Sequence, residues 1–132
     1  MAFVLDASIV ACWALRDEHA TVAERALGRL SSDEAVVPAL LWFEVRNILV
    51  VNERRKRLTE AATQEFLAQL AALPIRTDVS PDEPEVLRIA RKHKLTAYDA
   101  AYLELARRLR LPLATLDDDL LAAARREGVR VF

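Results

Sequence analysis

The chain has 132 residues, 53% of them hydrophobic, and a net charge of −1 from 19 basic and 20 acidic side chains. That length suits one domain over residues 1–132 with a core of its own. The hydrophobic share excludes a disordered chain, and the balanced charge excludes a uniformly basic nucleic-acid binder. No apolar stretch reaches the roughly 20 uncharged residues of a membrane span, so no membrane partner is expected. No basic segment precedes the apolar N-terminus. Cys12 is the sole cysteine, which rules out a disulfide within the chain and makes a reducing cytoplasm the expected setting; Cys12 itself reads as a small core residue. Sixteen of the 19 cations are arginines, which suits bidentate phosphate contacts but also follows from genomic base composition.

In chain order, Ala2 to Leu5 reads as a strand, Ser8 to Leu15 as a helix and Thr21 to Leu30 as another. Ala35 to Val37 is a second strand, and Pro38 opens a long helix through about Arg55. Thr59 to Leu73 is helical, with Phe66, Leu67, Leu70 and Leu73 on one face. A short strand spans Ile75 to Val79. Ser80-Pro81-Asp82-Glu83 then starts a helix to about Lys92, with Ser80 as cap, Pro81 at the first position and Glu83 closing a capping box. Thr96 to Leu109 is the next helix, stopped by Pro112. Leu113 to Leu116 is a strand, Asp117 to Glu127 a helix with Gly128 past its end, and Val129 to Phe132 a last strand. Short apolar strands alternating with helices imply a parallel sheet covered on both faces. Such sheets bind ligands beyond the carboxyl ends of their strands. Asp6 and Asp117 both fall at such ends and therefore face the same sheet edge.

Four acids stand in apolar settings, where carboxylates are costly unless something pairs with them. Asp6 follows Phe3-Val4-Leu5; it can cap the following helix, but Ser8 serves that role equally well. Glu44 is mid-helix, with Leu40, Leu41 and Ile48 on its face, so it is no cap. It needs either a functional partner or an ion pair, with Arg46 or Arg76 as candidates. Asn47 shares its polar spot and can orient Glu44 or a ligand. Asp99 lies in the first turn after Thr96, a capping-box spacing, yet it shares a face with Leu103 and Ala106. Asp117 heads Asp117-Asp118-Asp119, which fits capping and the helix dipole; Thr115 is a companion hydroxyl. His19 and His93 lie in polar helical surroundings and read as solvated. A cluster of hard oxygen donors without His or Cys favours Mg²⁺ or Mn²⁺ over Zn²⁺. GxxxxGK[ST], GxGxxG and GxSxG are all absent. Carboxylates that hold a divalent ion fit phosphodiester hydrolysis, in which the ion acidifies a water and neutralises charge on phosphorus, so no protein nucleophile is needed.

Leu5-Asp6-Ala7-Ser8, Glu44 in the third helix, Tyr98-Asp99-Ala100-Ala101-Tyr102-Leu103-Glu104-Leu105-Ala106 and Leu113-Ala114-Thr115-Leu116-Asp117 together resemble the PIN-domain family. Within that family they resemble the VapC ribonuclease toxins of type II toxin–antitoxin systems. The resemblance implies a three-layer α/β/α sandwich around a parallel sheet of about five strands. It implies Mg²⁺- or Mn²⁺-dependent endoribonuclease activity, with Asp6, Glu44, Asp99 and Asp117 as the acidic quartet. Asp6 and Asp99 are then the metal ligands, Glu44 and Asp117 bind directly or through water, and Ser8 and Thr115 are accessory hydroxyls. Asp118 or Asp119 can stand in for Asp117. The implied partners are RNA, a cognate antitoxin protein and a second copy in a homodimer. Arg54-Arg55-Lys56-Arg57 can contact RNA or acidic antitoxin residues, or simply be a solvated helix end. Two other readings compete: a receiver-like signalling domain, which wants a late-strand Lys that is lacking after Lys94, and a non-catalytic RNA- or protein-binding module on the same scaffold.

Overall fold

The structure, a computed structural model, describes residues 1–15 and 20–132. The elements in order are β1 (Phe3–Leu5), α1 (Ala7–Ala14), α2 (Thr21–Arg29), β2 (Ala35–Pro38), α3 (Leu40–Arg54), α4 (Glu60–Ala71), β3 (Ile75–Asp78), α5 (Glu83–His93), α6 (Ala97–Leu109), β4 (Leu113–Ala114) and α7 (Asp118–Arg126). The four strands form one parallel sheet in the order β3-β2-β1-β4. Val4 lies opposite Val36 on one side and Leu113 on the other. The chain thus builds outward from β1 to β3, then returns to place β4 on the free side of β1. That reversal between β1 and β4 is a topological switch point, where the crevice beyond the strand ends accepts ligands.

Helices flank both faces. α6 packs across β1, β2 and β4, with α5 and α7 packed on α6; α1 packs against α2 and α3, and α2 reaches β4. β1, β2 and β4 are consequently apolar, and Phe3, Val4, Leu5, Ala35, Val36, Val37, Leu113 and Ala114 are all fully buried, while the edge strand β3 carries the exposed Arg76 and Thr77. Parallel strands sealed on two sides read as continuous apolar runs rather than alternating ones. α6 is the central covering helix, and Ala100, Tyr102, Leu103, Leu105 and Ala106 are buried along it. Its alanines let it approach the sheet closely. Cys12 is buried, as a core residue should be. No helix among the described residues is long and apolar enough to cross a membrane.

The structure moves several expected boundaries. Pro38 ends β2, paired with Asp78 across the sheet, and α3 begins only at Leu40; a proline at a strand end gives up no ladder bond the sheet needs. The cap of α5 is Asp82, not Ser80: the Asp82 carboxylate accepts from the Glu85 amide at 3.3 Å, and the helix starts two residues later than expected, with Pro84 in its first turn. β4 stops at Ala114, because the Leu116 and Asp117 amides turn to donate to the Ser8 and Thr115 hydroxyls instead of extending the ladder. The fifth strand reduces to one parallel bridge between Leu113 and Val131. Gly128, with φ +74, ends α7 as expected, since an L side chain is strained in that region. His93 is not solvated: its side chain is 3% exposed and its Nε2 lies 2.6 Å from Glu127. His19 lies outside the described residues.

Candidate active site

β1 ends at Leu5, and its next residue, Asp6, stands at the N-cap position of α1 without making a capping bond through its side chain. Its carboxylate is occupied otherwise. The Ser8 and Thr115 hydroxyls both donate to Asp6 Oδ2, each at 2.7 Å. Ser8 Oγ in turn accepts from the Leu116 amide at 2.9 Å, and Thr115 Oγ1 from the Asp117 amide at 3.0 Å. These bonds tie the segment after β1 to the segment after β4 across the switch point. Both strands end where they do because their following residues belong to this network. Among the four acids only Asp6 is fully buried; Glu44, Asp99 and Asp117 are half-buried. The apolar setting read from the sequence therefore overstates the burial of three of them.

Glu44 comes from α3. Its partner is neither Arg46, which donates to the Trp42 carbonyl, nor Arg76, which pairs with Glu34. Asn47 is exposed. Instead the Tyr102 hydroxyl donates to Glu44 Oε1 at 2.5 Å. Sequence reasoning missed Tyr102 as a site residue. The available signal was its spacing: three residues after Asp99 on α6, it shares a helical face with that acid. Asp99 sits in the first turn of α6, whose cap Thr96 accepts from the Asp99 amide at 3.1 Å. Asp117 does cap α7, accepting from the Leu120 amide at 2.8 Å, so the capping reading is right for it. Its charge nonetheless acts on Asp99.

The electrostatics join all four acids into one group. Burial pushes the Asp6 carboxyl above its ordinary value, against the pull of the Ser8 and Thr115 hydroxyls and the amides of Ala7 and Ser8. Glu44 is raised by burial first; the Tyr102 hydrogen bond lowers it, while the Asp6 and Asp99 charges raise it further. Asp99 is raised by burial, then by the charges of Asp117 and Asp6, and by Asp119 beyond them. Like charges this close disfavour one another's ionisation. Three helix N-termini, those of α1, α6 and α7, direct their positive ends here and offset part of the repulsion. No cation does: among the described residues none of the four acids is ion-paired. Asp78, the last residue of β3, is treated differently and pairs with Arg108 at 2.7 Å. Among the described residues, no three Asp, Glu, His or Cys side chains converge tightly enough to enclose an ion by themselves. The donor set is all oxygen, which suits Mg²⁺, an ion that keeps several waters and takes only one or two protein carboxylates.

A parallel sheet with acids converging at its switch point is the architecture of a PIN domain, and residues 3–126 match the PIN domain family; the chain belongs to it. Over 128 residues it is 34% identical to Ribonuclease VapC3 of Pyrobaculum aerophilum, an alignment spanning 91% of this chain and 92% of that protein. The crystal structure of PAE2754 from Pyrobaculum aerophilum superposes with a TM-score of 0.75 at 27% identity, covering 99% of this chain and 92% of the other. VapBC2 from Rickettsia felis, bound to a DNA fragment from its promoter, shares the fold at a TM-score of 0.70 and 11% identity, covering 100% and 98%.

Proposed function

We propose that this chain is an Mg²⁺- or Mn²⁺-dependent endoribonuclease, the toxin of a type II toxin–antitoxin pair, acting in the cytoplasm as one domain. The observation that carries the reading is the uncompensated charge at the switch point. Asp6 is buried and held by hydroxyl and amide groups with, among the described residues, no cation, Glu44 and Asp99 crowd it with like charge, and a divalent cation would relieve all three at once. The similarity to Ribonuclease VapC3 supports RNA as substrate, and the antitoxin partner follows from the resemblance to the VapC toxins. A homodimer fits the exposed Phe43 and Val50 on α3, and light scattering on the purified chain checks it.

In this reading Asp6 and Asp99 hold the ion, with Glu44 and Asp117 completing its shell directly or through water. The ion, when bound, supplies an acidified water and neutralises charge on the scissile phosphate. Ser8 and Thr115 hold Asp6 through Oδ2 and would orient its carboxylate toward the ion. The N-termini of α1, α6 and α7 favour anions and so receive RNA phosphate oxygens as readily as carboxylates. The exposed cations Arg54, Arg55 and Lys56 at the end of α3 offer phosphate contacts.

RNA cleavage in Mg²⁺, in EDTA, and by Asp6→Asn and Asp99→Asn in Mg²⁺ tests this. Cleavage should vanish in EDTA and fall at least ~100-fold in each variant, the upper range for losing a metal-site contact. Undiminished cleavage by either variant sinks the assigned roles. A chain that binds Mn²⁺ and RNA but never cleaves is instead a binding module on the PIN scaffold.

A further inference from the structure

We propose that Tyr102 is a positioning residue for the metal site, acting through Glu44; the inference rests on the metal-dependent reading above. Tyr102 is fully buried on α6, and its ring fills the core beneath the site. Its hydroxyl reaches another element, donating to Glu44 Oε1 on α3 at 2.5 Å. One phenol thus links α6 to α3, the two helices from which Asp99 and Glu44 come.

The arrangement repeats what Ser8 and Thr115 do for Asp6. There, two hydroxyls hold Oδ2; here, one hydroxyl holds Oε1. In each carboxylate one oxygen is anchored by an O–H donor. Glu44 needs the anchor most. It lies beyond the first turn of α3, and its side chain has one more rotatable bond than an aspartate. Among the described residues, only Tyr102 has a side chain that hydrogen-bonds it. A glutamate free to rotate would meet an ion in many geometries; a phenol donor selects one. Groups that orient metal ligands in this way contribute about 10- to 100-fold to affinity when removed.

The test is Mn²⁺ titration, followed by electron paramagnetic resonance and carried into the millimolar range, on the wild type, Tyr102→Phe, Glu44→Gln and the double variant. Phenylalanine keeps the ring that fills the core, and metal-free melting of each variant verifies that it is folded. Tyr102→Phe should weaken Mn²⁺ binding about 10-fold. In the Glu44→Gln background the same change should cost less than about 2-fold, because the group it orients is gone. Equal affinity of wild type and Tyr102→Phe overturns the proposal, as does an equal loss in both backgrounds, which marks Tyr102 as part of the general packing. Absence of Mn²⁺ binding by the wild type overturns the metal reading itself, and this inference with it.

Discussion

The two ends of α7 treat a carboxylate in opposite ways. At its N-terminus Asp117 faces Asp99, Asp6 and Glu44, a group of acids with hydroxyls around it and, among the described residues, no ion pair. At its C-terminus, ten residues on, Glu127 is an acid at the end of a helix where the dipole disfavours one. Its side chain is 4% exposed, and Arg88, Lys92, His93 and Arg107 all close on it within 3.3 Å. The Arg88 guanidinium above all holds the Glu127 carboxyl at about 2, while burial pushes Asp6, Glu44 and Asp99 upward. The fold can therefore neutralise a buried acid fully. Where it declines to, the unrelieved repulsion marks the site where a ligand is expected.

Breaking the compensated end should have the largest effect on stability. Glu127→Ala strands several cations and the nearly buried His93, and should cost about 3 kcal/mol in denaturant unfolding, at the low end of the range for breaking a buried pair. The loss should be the same with and without Mn²⁺. A loss below about 1 kcal/mol would show that this network is only a surface decoration.

The two ends also predict opposite pH limbs. Glu127 ionises at about 2 in the fold against about 4.3 in an unfolded chain; its stabilisation is present above the unfolded value and lost as pH falls toward 2. For Asp6, Glu44 and Asp99 the folded values are raised, so their contribution is present below the ordinary carboxylate range and lost as pH rises through the raised values. Metal-free stability should thus peak at mildly acidic pH and decline toward neutrality. Glu127→Gln should flatten the acid limb, and Asp6→Asn the limb toward neutrality. Melting temperatures from pH 3 to 8 check both, and a metal-free chain that is most stable at neutral pH contradicts the raised acids.

A smaller effect belongs to the hydroxyls. Thr115→Val removes one of two donors to Asp6 Oδ2 while Ser8 keeps the other. Mn²⁺ affinity should fall by no more than about 10-fold. A larger loss would make Thr115 itself a ligand.

Much of this was legible in the chain. Every helix, and every strand but the last, is present close to where periodicity placed it, because parallel strands sealed on both faces leave uninterrupted apolar runs such as Phe3-Val4-Leu5 and Ala35-Val36-Val37. The convergence of Asp6 and Asp117 followed from strand ends alone. What stayed hidden depends on contacts between elements. Glu44 looked as if it needed an arginine, because sequence spacing cannot show that the Tyr102 phenol crosses from α6 to α3. Asn47 shared a turn with Glu44 but faces outward. His93 sits among charged residues in sequence, and that polarity suggested solvent; its neighbours Arg88 and Lys92 instead surround the same glutamate, which arrives from 34 positions away. Ser80 and Asp82 offered two caps for α5, and the choice was fixed tertiarily, by the buried Glu104 accepting from the Asp82 amide at 3.0 Å.

On the proposed function, the acids that gather around the N-terminus of α7 lack a cation partner because a divalent ion binds there. Thermal melting of the wild type and of Asp6→Asn, each with and without millimolar Mn²⁺ at neutral pH, tests it most directly. The wild type should melt higher with Mn²⁺, as any ligand of the folded state requires. Asp6→Asn, relieved of a buried charge, should melt at or above the metal-free wild type and gain nothing from the ion. A wild type whose melting is unaltered by Mn²⁺, or an Asp6→Asn variant that gains as much as the wild type, would contradict the account.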